Sequence, residues 1–396
     1  MEIKYTSRDL LRRFGTGKIK VSEEVGAEKI KKGEAKEATS LSSLPDLDPT
    51  VEDTAKPILQ KDYGGRRLTG TPYIAWIHDT RVKTGGAELS NQTLLNVGRK
   101  LGFEIYECYP DTFDRQKLIK AELLIINNFF FFEPKQYHFI LDLLYEYKRP
   151  YVKYEHDHRE LYGDLARPKL ARILFGNSIL NVFISPFQLE NHRKRIGALV
   201  EPYYLLPPAI DTDRFKILDD IKREKNKVVN VTGRLYHSKG LRQIANFVHL
   251  KPKLKFEIYT VRHDEFNEYF TKSKNVKIKS VVPNHKLPAI YNSAEYTIHL
   301  PASYEACGRT IAEGLLCGCK PLLNENVGIR SFSYFHVGDA NNFDREVFKR
   351  TIDEGLYAFW KVIEAKFNGL TPRVRVWERK EKGLIGSRRK RNENSV

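Results

Sequence analysis

"YIAWIHDTRVKTGGAELSNQTLLNVGRKLGFEIYECY", residues 73–109, indicates the fold class of this 396-residue chain. "YIAWI" is a short apolar run typical of a buried strand, and "FEIYECY" predicts a second strand. Between them, "GGAELSNQTLLNVGRKLG" has the apolar spacing of a helix that ends at Gly102. A strand, a helix and a strand in this order predict a parallel βαβ unit.

The same alternation extends along most of the chain. Further strands are predicted at "AELLIIN", "YVKYEHD", "NVFIS" and "LVEPYYL", with helical segments between them. The two prolines in "LLPPAIDTDRFK" indicate a hinge, after which the pattern restarts at "KVVNVTGRL" and continues to "KPLLNEN". We therefore predict an α/β fold with two doubly wound Rossmann-like domains facing across a cleft, at residues 71–205 and 206–345.

Three segments lie outside these domains. Residues 1–70 are rich in Lys, Glu, Ser, Pro and Gly, which predicts a disordered or loosely attached N-terminal arm. Residues 346–370 carry large apolar side chains at near-helical spacing and predict a C-terminal helix. Residues 371–396 are strongly basic and are expected to form a flexible tail.

The composition restricts the partners and the location of the protein. A formal net charge of +17 predicts an anionic partner, either nucleotide phosphates, nucleic acid or an acidic membrane surface. The N-terminus lacks the apolar core of a signal peptide, and no apolar stretch is long enough to span a bilayer. We expect a cytoplasmic protein, with peripheral contact to an anionic membrane as an option. The four cysteines form no CxxC pair and are expected to be buried free thiols.

Ligands of open parallel sheets bind beyond the carboxyl ends of the strands, so the strand-to-helix junctions are the candidate sites. In "WIHDTRVKTGGAE", Gly85 and Gly86 open a helix and would let backbone amides approach an anion; an ordinary turn is the alternative. In "VTGRLYHSKG", Gly233, Arg234 and Lys239 follow an apolar strand. Arg and Lys on one loop are suited to a diphosphate, and a solvated basic loop is the alternative.

The segment "SYEACGRTIAEGLLCG", residues 303–318, has two carboxylates around a glycine. We expect Glu305 in a loop, Gly308 near a helix N-terminus that attracts phosphate, and Glu313 within the helix. Eight helical residues rise about 12 Å, so the two carboxylates could accept hydroxyls from opposite ends of a nucleotide sugar. The alternative is a capping glutamate followed by a solvated one.

Two further segments raise the question of a metal site. "YEHDHRELYG", residues 154–163, follows a strand, and His156 and Asp157 are candidates for contact with a sugar or an acceptor. His156 and His158 would share one side of an extended strand, but no third ligand has suitable spacing. "DTD", residues 211–213, lies in the hinge, where turn-stabilising carboxylates are expected. We predict no metal site and no cofactor.

The segments "GGAE", "VTGRLYHSKG", "VVPNHKLPAIYNSAEYTIHLPAS" and "EACGRTIAEGLLCGCKPLLNENVG" resemble the GT-B glycosyltransferases of the large retaining family 4. The resemblance covers residues 73–367 and is stronger in the second domain. It implies that the second domain binds a nucleotide-diphosphate-sugar donor, that the first binds the acceptor, and that the anomeric configuration is retained without a metal. It also implies that the final helix returns to the first domain.

Carried over residue by residue, the resemblance implies that Arg234 and Lys239 contact the donor diphosphate. Glu305 would contact the transferred sugar and Glu313 the ribose, while His156 and Asp157 would lie near the reacting face of the sugar. The expected catalytic residues are Arg234, Lys239, Glu305, His156 and Asp157. The expected donor-binding residues are Gly85, Gly86, Gly233, Arg234, Lys239, Val282, Glu305, Ala306, Cys307, Gly308, Arg309, Thr310 and Glu313.

Two departures from the family pattern concern the hinge and the sugar pocket. "PPAIDTDRF" replaces the usual Pro-Asn-Gly-(Ile/Val)-Asp, and "EACGRT" replaces the common Glu-Gly-Phe-Gly, so the sugar and the nucleotide are left open. A glycan or lipid-linked glycan is the favoured acceptor. A DNA-modifying enzyme acting on hydroxylated bases in phage-type DNA, and a non-enzymatic nucleotide-sugar-binding or DNA-binding protein, are the alternatives. The chain has no known DNA-reading motif, and its sequence does not indicate an oligomeric state.

Overall fold

The computed structural model describes residues 71–79, 85–128, 131–157, 168–233, 235–261, 267–270, 273–332, 335 and 343–369. The predicted arm at residues 1–70 and the predicted tail at residues 371–396 lie outside these ranges.

The first domain contains a parallel sheet of six strands in the order β2-β1-β3-β4-β5-β6. The strands are β1 (Tyr73–Ile77), β2 (Glu104–Cys108), β3 (Leu123–Ile126), β4 (Tyr151–Glu155), β5 (Leu180–Phe183) and β6 (Tyr203–Leu205). The helices are α1 (Gly86–Lys100), α2 (Arg115–Lys120), α3 (Pro134–Tyr145), α4 (Pro168–Asn177) and α5 (Pro186–Ile196).

The second domain contains a parallel sheet of five strands in the order β11-β10-β7-β8-β9. The strands are β7 (Glu224–Val231), β8 (Lys255–Tyr259), β9 (Val276–Lys279), β10 (Ala294–His299) and β11 (Lys320–Leu323). The helices are α6 (Leu241–Leu250), α7 (Asn267–Phe270), α8 (Leu287–Asn292) and α9 (Arg309–Leu316). The predicted α/β class with two parallel sheets is confirmed.

Local sequence signals set the bounds of these elements. All residues of β3 are buried, because an apolar strand in a parallel sheet is covered on both faces. Helix α5 begins where the Ser185 hydroxyl accepts a hydrogen bond from the backbone N–H of Gln188, with Pro186 as its first residue. Gly102, with φ of 97°, lies just after α1 in the left-handed region that favours glycine.

Helix α10 (Arg345–Asn368) packs on α1 and connects the two domains. The Trp360 indole N–H donates a hydrogen bond of 2.9 Å to the Leu94 carbonyl, and the Trp360 ring lies 4.6 Å from the Phe103 ring. A Cβ atom on Gly98 would lie 2.3 Å from the Trp360 ring, so only glycine permits this approach. One face of α10 is buried in a core shared by both domains and consists of Phe348, Ile352, Leu356, Phe359, Trp360, Ile363 and Phe367.

The hinge at residues 207–215 lies against α10. The Asp211 carboxylate accepts hydrogen bonds from the backbone N–H groups of Asp213 at 3.1 Å and Arg214 at 3.2 Å. This confirms for Asp211 the predicted turn-stabilising role. The Thr212 hydroxyl donates a hydrogen bond of 2.5 Å to Asp353 of α10, which ties the hinge to the helix.

Two expectations from composition can be compared with the described residues. Cys108, Cys307, Cys317 and Cys319 are all buried and free, as predicted. In the ranges that the structure describes, no helix combines the length and apolarity needed to cross a bilayer.

Replacing Trp360 by alanine should weaken the attachment of α10 to α1. Loss of a buried aromatic side chain typically lowers the free energy of unfolding by about 3–5 kcal/mol. Urea denaturation, monitored by far-UV circular dichroism and not by tryptophan fluorescence, would measure this change. Lys366→Ala, at an exposed position of the same helix, is the matched control. It should change the free energy of unfolding by less than about 0.5 kcal/mol. Equal effects of the two substitutions would contradict the role of Trp360.

Candidate functional site

The Arg309 side chain connects the start of α9 to the first domain. Its Nη1 donates hydrogen bonds to the Ser90 hydroxyl of α1 at 2.8 Å and to the Ala209 carbonyl of the hinge at 2.6 Å. Its Nε donates to Glu313 Oε1 at 2.8 Å. The start of α9 therefore lies directly against α1.

Glu305 is held by two basic side chains. Lys239 Nζ lies 2.5 Å from Glu305 Oε2, and His299 Nε2 lies 3.4 Å from the same oxygen. The Glu305 backbone is fixed as well, because its N–H donates to the Asn326 carbonyl and its carbonyl accepts from the Gly328 N–H, both at 2.9 Å. The carboxylate thus has a defined position in the loop after β10.

The surroundings of Glu305 keep it ionised. Burial by itself would raise the pKa of this carboxyl, but the charge of Lys239 and the hydrogen bond with His299 outweigh burial. The pKa of Glu305 is therefore well below its usual range. An ionised carboxylate only accepts hydrogen bonds, so Glu305 is suited to bind hydroxyl groups.

The turn that carries Lys239 is bonded to the Glu305 loop. Lys239 ends a 3₁₀ turn, His237–Lys239, and the Ser238 carbonyl accepts a hydrogen bond of 3.0 Å from the Ala302 N–H. Gly240 follows with φ of 94°, and a Cβ atom there would lie 2.0 Å from the Leu300 carbonyl oxygen. Glycine is required because two backbone segments meet here.

The other predicted residues of this loop have different placements. Gly233 is exposed just after β7, and its carbonyl accepts a hydrogen bond of 3.1 Å from the Val261 N–H. Arg234 lies outside the described residues, so its predicted contact with a diphosphate stays a prediction.

Gly308 precedes α9 in a left-handed conformation. Its φ is 90°, and no side chain caps the helix that begins at Arg309. The first-turn amides of an uncapped helix are suited to bind an anion. The expectation that eight helical residues separate Glu305 from Glu313 is wrong, because only the residues from Arg309 onward are helical.

Glu313 differs from Glu305 in its surroundings. Its exposed fraction is 1 %, and one of its carboxylate oxygens binds Arg309 Nε. Burial raises the pKa of Glu313, and the nearby charge of Arg309 opposes this only in part. The predicted ribose contact of Glu313 stays a prediction.

The loop between the two glutamates is buried and touches the first domain. Ala306 and Cys307 have exposed fractions of 4 % and 1 %, and the Ala306 carbonyl accepts a hydrogen bond of 2.5 Å from the Ser185 hydroxyl. Thr310 is half-buried in the first turn of α9. Val282 lies between β9 and the 3₁₀ turn Asn284–Lys286, where it packs against the main core.

The two predicted glycines lie at the start of α1. Gly85 precedes the helix with an extended backbone, φ of −74°, so its backbone angles do not demand glycine. A Cβ atom on Gly86 would be in ordinary van der Waals contact, 3.5 Å, with Arg309 Cβ. The structure therefore brings the start of α1 and the start of α9 together.

In the first domain, Asn91 of α1 connects two histidines that follow strands. His156, after β4, donates from Nε2 to Asn91 Oδ1 at 2.7 Å. Asn91 Nδ2 donates to Nδ1 of His78, after β1, at 3.2 Å. Burial lowers the pKa of both histidines to about 3, so both are neutral at pH 7. Sequence analysis predicted His156 but did not include His78 or Asn91 among the site residues.

Asp157 is held at both backbone groups. Its N–H donates to Glu155 Oε1 at 3.2 Å, and its carbonyl accepts from Gln188 Nε2 at 3.1 Å. Strand β4 ends at Glu155, so the expectation that His156 continues an extended strand is wrong. His158 lies outside the described residues; among those described, no three His, Cys, Asp or Glu side chains are placed to hold a metal ion.

The fold is similar to that of several solved structures. HepE from Anabaena, in complex with UDP and glucose, is 14% identical over 80% of this chain and 100% of that chain, with a TM-score of 0.52. A second HepE structure, with UDP-glucose, has the same identity and coverage and a TM-score of 0.50. Sucrose-phosphate synthase from Thermosynechococcus elongatus is 14% identical over 76% of this chain and 99% of that chain, with a TM-score of 0.56.

At this identity the similarity shows the fold alone, and it confirms the expected GT-B arrangement of two Rossmann-like domains. Neither a protein-family model nor a curated protein matches the sequence.

The opposite pKa shifts of the two glutamates predict opposite pH dependences of stability. Because the pKa of Glu305 is lowered by folding, its ionisation stabilises the protein above about pH 4.5, and this contribution shrinks as the pH falls further. Because the pKa of Glu313 is raised by folding, its contribution is greatest below about pH 4.5 and shrinks as the pH rises.

Urea denaturation of the wild type, Glu305→Gln and Glu313→Gln between pH 3.5 and 7 would measure these contributions. The stability difference between wild type and Glu305→Gln should grow with rising pH, whereas the difference for Glu313→Gln should fall. If both stability differences changed in the same direction with pH, the two carboxylates would not have the environments described.

Proposed function

We propose that the protein is a glycosyltransferase that moves a sugar from a nucleotide-diphosphate sugar to an acceptor hydroxyl, with retention of anomeric configuration. The observation that carries this proposal is the ionised Glu305 carboxylate, held by Lys239 beside the uncapped start of α9. Carboxylate oxygens that can accept hydrogen bonds from hydroxyl groups therefore lie next to groups that attract phosphate. The presence of UDP-glucose in a HepE structure of the same fold supports a UDP-sugar as the first donor to test.

Different residues would bind the diphosphate and the sugars of the donor. The first-turn amides of α9 and the Lys239 ammonium would bind the diphosphate and stabilise the charge that develops on it as it departs. Lys239 has three N–H donors, so it can bind Glu305 and a phosphate oxygen together. Arg234 is proposed to bind the same diphosphate as a bidentate donor.

Glu305 is proposed to accept hydrogen bonds from hydroxyls of the transferred sugar, and Glu313 from those of the ribose. Since Glu313 is buried and Arg309 binds one of its oxygens, the ribose contact requires Arg309 to leave the position described. Val282 and the first-domain residues Gly85 and Gly86 are proposed to border the bound donor.

Retention can proceed without a base supplied by the protein. The bond from the anomeric carbon to the leaving phosphate breaks while the bond to the acceptor oxygen forms on the same face, and the leaving phosphate takes the acceptor proton. The cationic Lys239 and Arg234 would stabilise the departing diphosphate, and we propose that no metal is required. His156 and Asp157 are proposed to contact the sugar or the acceptor.

The proposed acceptor is a glycan or a lipid-linked glycan. The net charge of +17 suits an enzyme that works at an anionic membrane surface, where such acceptors are held. Peripheral membrane contact and a cytoplasmic location belong to this proposal.

A nucleotide-release assay over a panel of sugar donors, beginning with UDP-glucose, tests the proposal. Each donor is offered with a lipid-linked glycan, with duplex DNA containing hydroxymethylated bases, and with neither. We expect release of a nucleoside diphosphate and transfer of the sugar to the glycan. Transfer to DNA would instead identify the DNA-modifying alternative, and salt-sensitive DNA binding without turnover of any donor would identify a binding protein.

Variants of the second domain test the assigned residues. Glu305→Ala and Arg234→Ala should each lower turnover roughly 100-fold or more, the usual effect of removing a group that stabilises the transition state. Lys253→Ala, at an exposed position after α6, removes a cation away from the site and should leave turnover unchanged. Full turnover of both site variants with every donor would refute the assignment.

A further inference from the structure

Asn91 joins His156, which the proposed function uses, to His78, which it does not use. All three side chains are buried, with exposed fractions of 4 %, 8 % and 4 % for His78, His156 and Asn91. His156 Nε2 lies 2.7 Å from Asn91 Oδ1, and Asn91 Nδ2 lies 3.2 Å from His78 Nδ1. One primary amide therefore contacts both imidazoles.

The chemistry of the amide determines which ring nitrogens carry protons. An amide oxygen only accepts, so His156 must carry a proton on Nε2; an amide nitrogen donates, so His78 Nδ1 must present a lone pair. Both neutral rings are then protonated at Nε2. This leaves His156 Nδ1 as an acceptor and His78 Nε2–H as a donor.

The surroundings oppose a positive charge on either ring. His78 is stacked against Tyr109, with ring centroids 4.8 Å apart, and burial followed by the charge of Arg99 lowers its pKa. For His156, burial comes first, followed by the repulsion that a second proton would meet from a protonated His78 and from the charges of Lys153 and Arg309, and together these lower the pKa. Neutral imidazoles can serve as one donor and one acceptor each, whereas charged rings would only donate.

Among the described residues, one of the four ring nitrogens is a buried atom without a hydrogen-bond partner. His78 Nε2 is buried, and no polar group of those residues accepts its proton. A buried N–H group without an acceptor costs free energy, so a ligand or a water molecule is expected to supply the acceptor. Ser90, next to Asn91 on α1, bonds to Arg309, so the cluster lies beside the start of α9 where the donor is proposed to bind.

We infer that Asn91 is a positioning residue that holds His78 and His156 in their Nε2–H tautomers and thereby forms a binding site for sugar hydroxyls, with His78 as donor and His156 as acceptor. The choice of a sugar as ligand rests on the proposed function. The tautomers follow from the orientation of the Asn91 amide, whose oxygen faces His156 and whose nitrogen faces His78.

Long-range ¹H–¹⁵N NMR of the histidine side chains in the full chain tests the tautomers. In the wild type, both His78 and His156 should show a protonated Nε2 and an unprotonated Nδ1 between pH 5 and 8. A proton on Nδ1 of either ring would overturn the inference. Asn91→Asp supplies two acceptor oxygens and a charge, so His78 should move its proton to Nδ1 and the pKa values of both rings should rise.

Asn96→Asp is the matched control, because it makes the same change of charge on the same helix. Asn96 accepts a hydrogen bond from Gln92, 3.0 Å away, and is not part of the bridge between the two histidines. This variant should leave both tautomers as in the wild type. An identical shift of the histidine signals in both variants would show that charge on α1, and not the bridge, controls the rings.

Turnover of the donor identified in the nucleotide-release assay gives a second measurement. Asn91→Leu should lower kcat/KM about 10-fold or more, and Asn91→Asp should introduce a dependence of kcat on pH between 5 and 8 that the wild type lacks. If Asn91→Leu does not fold, Asn91→Asp alone decides. If a folded Asn91 variant had changed histidine tautomers but kept the kcat/KM of the wild type, the positioning role of Asn91 would be overturned.

Failure of the proposed function is distinguishable from failure of this inference. If the wild type turned over no donor, the proposed function would fail, and titration with millimolar glucose would then decide the inference. Shifts of the His78 and His156 side-chain signals on adding glucose would support the hydroxyl-binding site. Unchanged signals would overturn it.

Discussion

The packing of Trp360 against Gly98 is the contact on which the arrangement of the two domains depends. Each parallel sheet presents a carboxyl edge, and a site between them forms only if these edges are held facing each other. Helix α10 does this by leaving the second domain and burying its apolar face against α1 of the first. The approach is close because Gly98 has no side chain, so the indole reaches the Leu94 carbonyl. The hinge is held in the same place by the bond between Thr212 and Asp353.

With the edges in place, two otherwise similar carboxylates acquire different properties. Glu305 lies in a loop next to Lys239 and His299, which favour its charge, whereas Glu313 is almost completely buried and has Arg309 as its charged partner. The pKa shifts run in opposite directions because burial dominates only for Glu313. In the proposed function, this makes Glu305 the carboxylate ready to bind hydroxyls and Glu313 one that must first be uncovered.

The candidate site could be predicted from the sequence where chemistry and strand ends coincide. Lys239, Glu305 and Gly308 follow apolar strands and carry distinctive residue types, so a single sequence was enough to select them. Asn91 could not be selected in this way, because a polar residue within an amphipathic helix has no signal that separates a buried bridge from an exposed position. His78 and Asn91 are thirteen positions apart, and only the packing of α1 over the ends of β1 and β4 brings them to His156.

Two parallel sheets, the order of their strands along the chain and the junctions that carry polar residues could all be predicted without the structure. These follow from local periodicity, glycines and caps, which depend on neighbouring residues alone. Three features depend on tertiary packing: where α9 begins, the direction in which the pKa of each glutamate shifts, and which side chains meet across the domains. These depend on burial and on charges from distant parts of the chain: Arg309 reaches Ser90, 219 positions away, and Ser185 reaches Ala306, 121 positions away. No local pattern records such contacts, because they exist only once both domains have folded against α10.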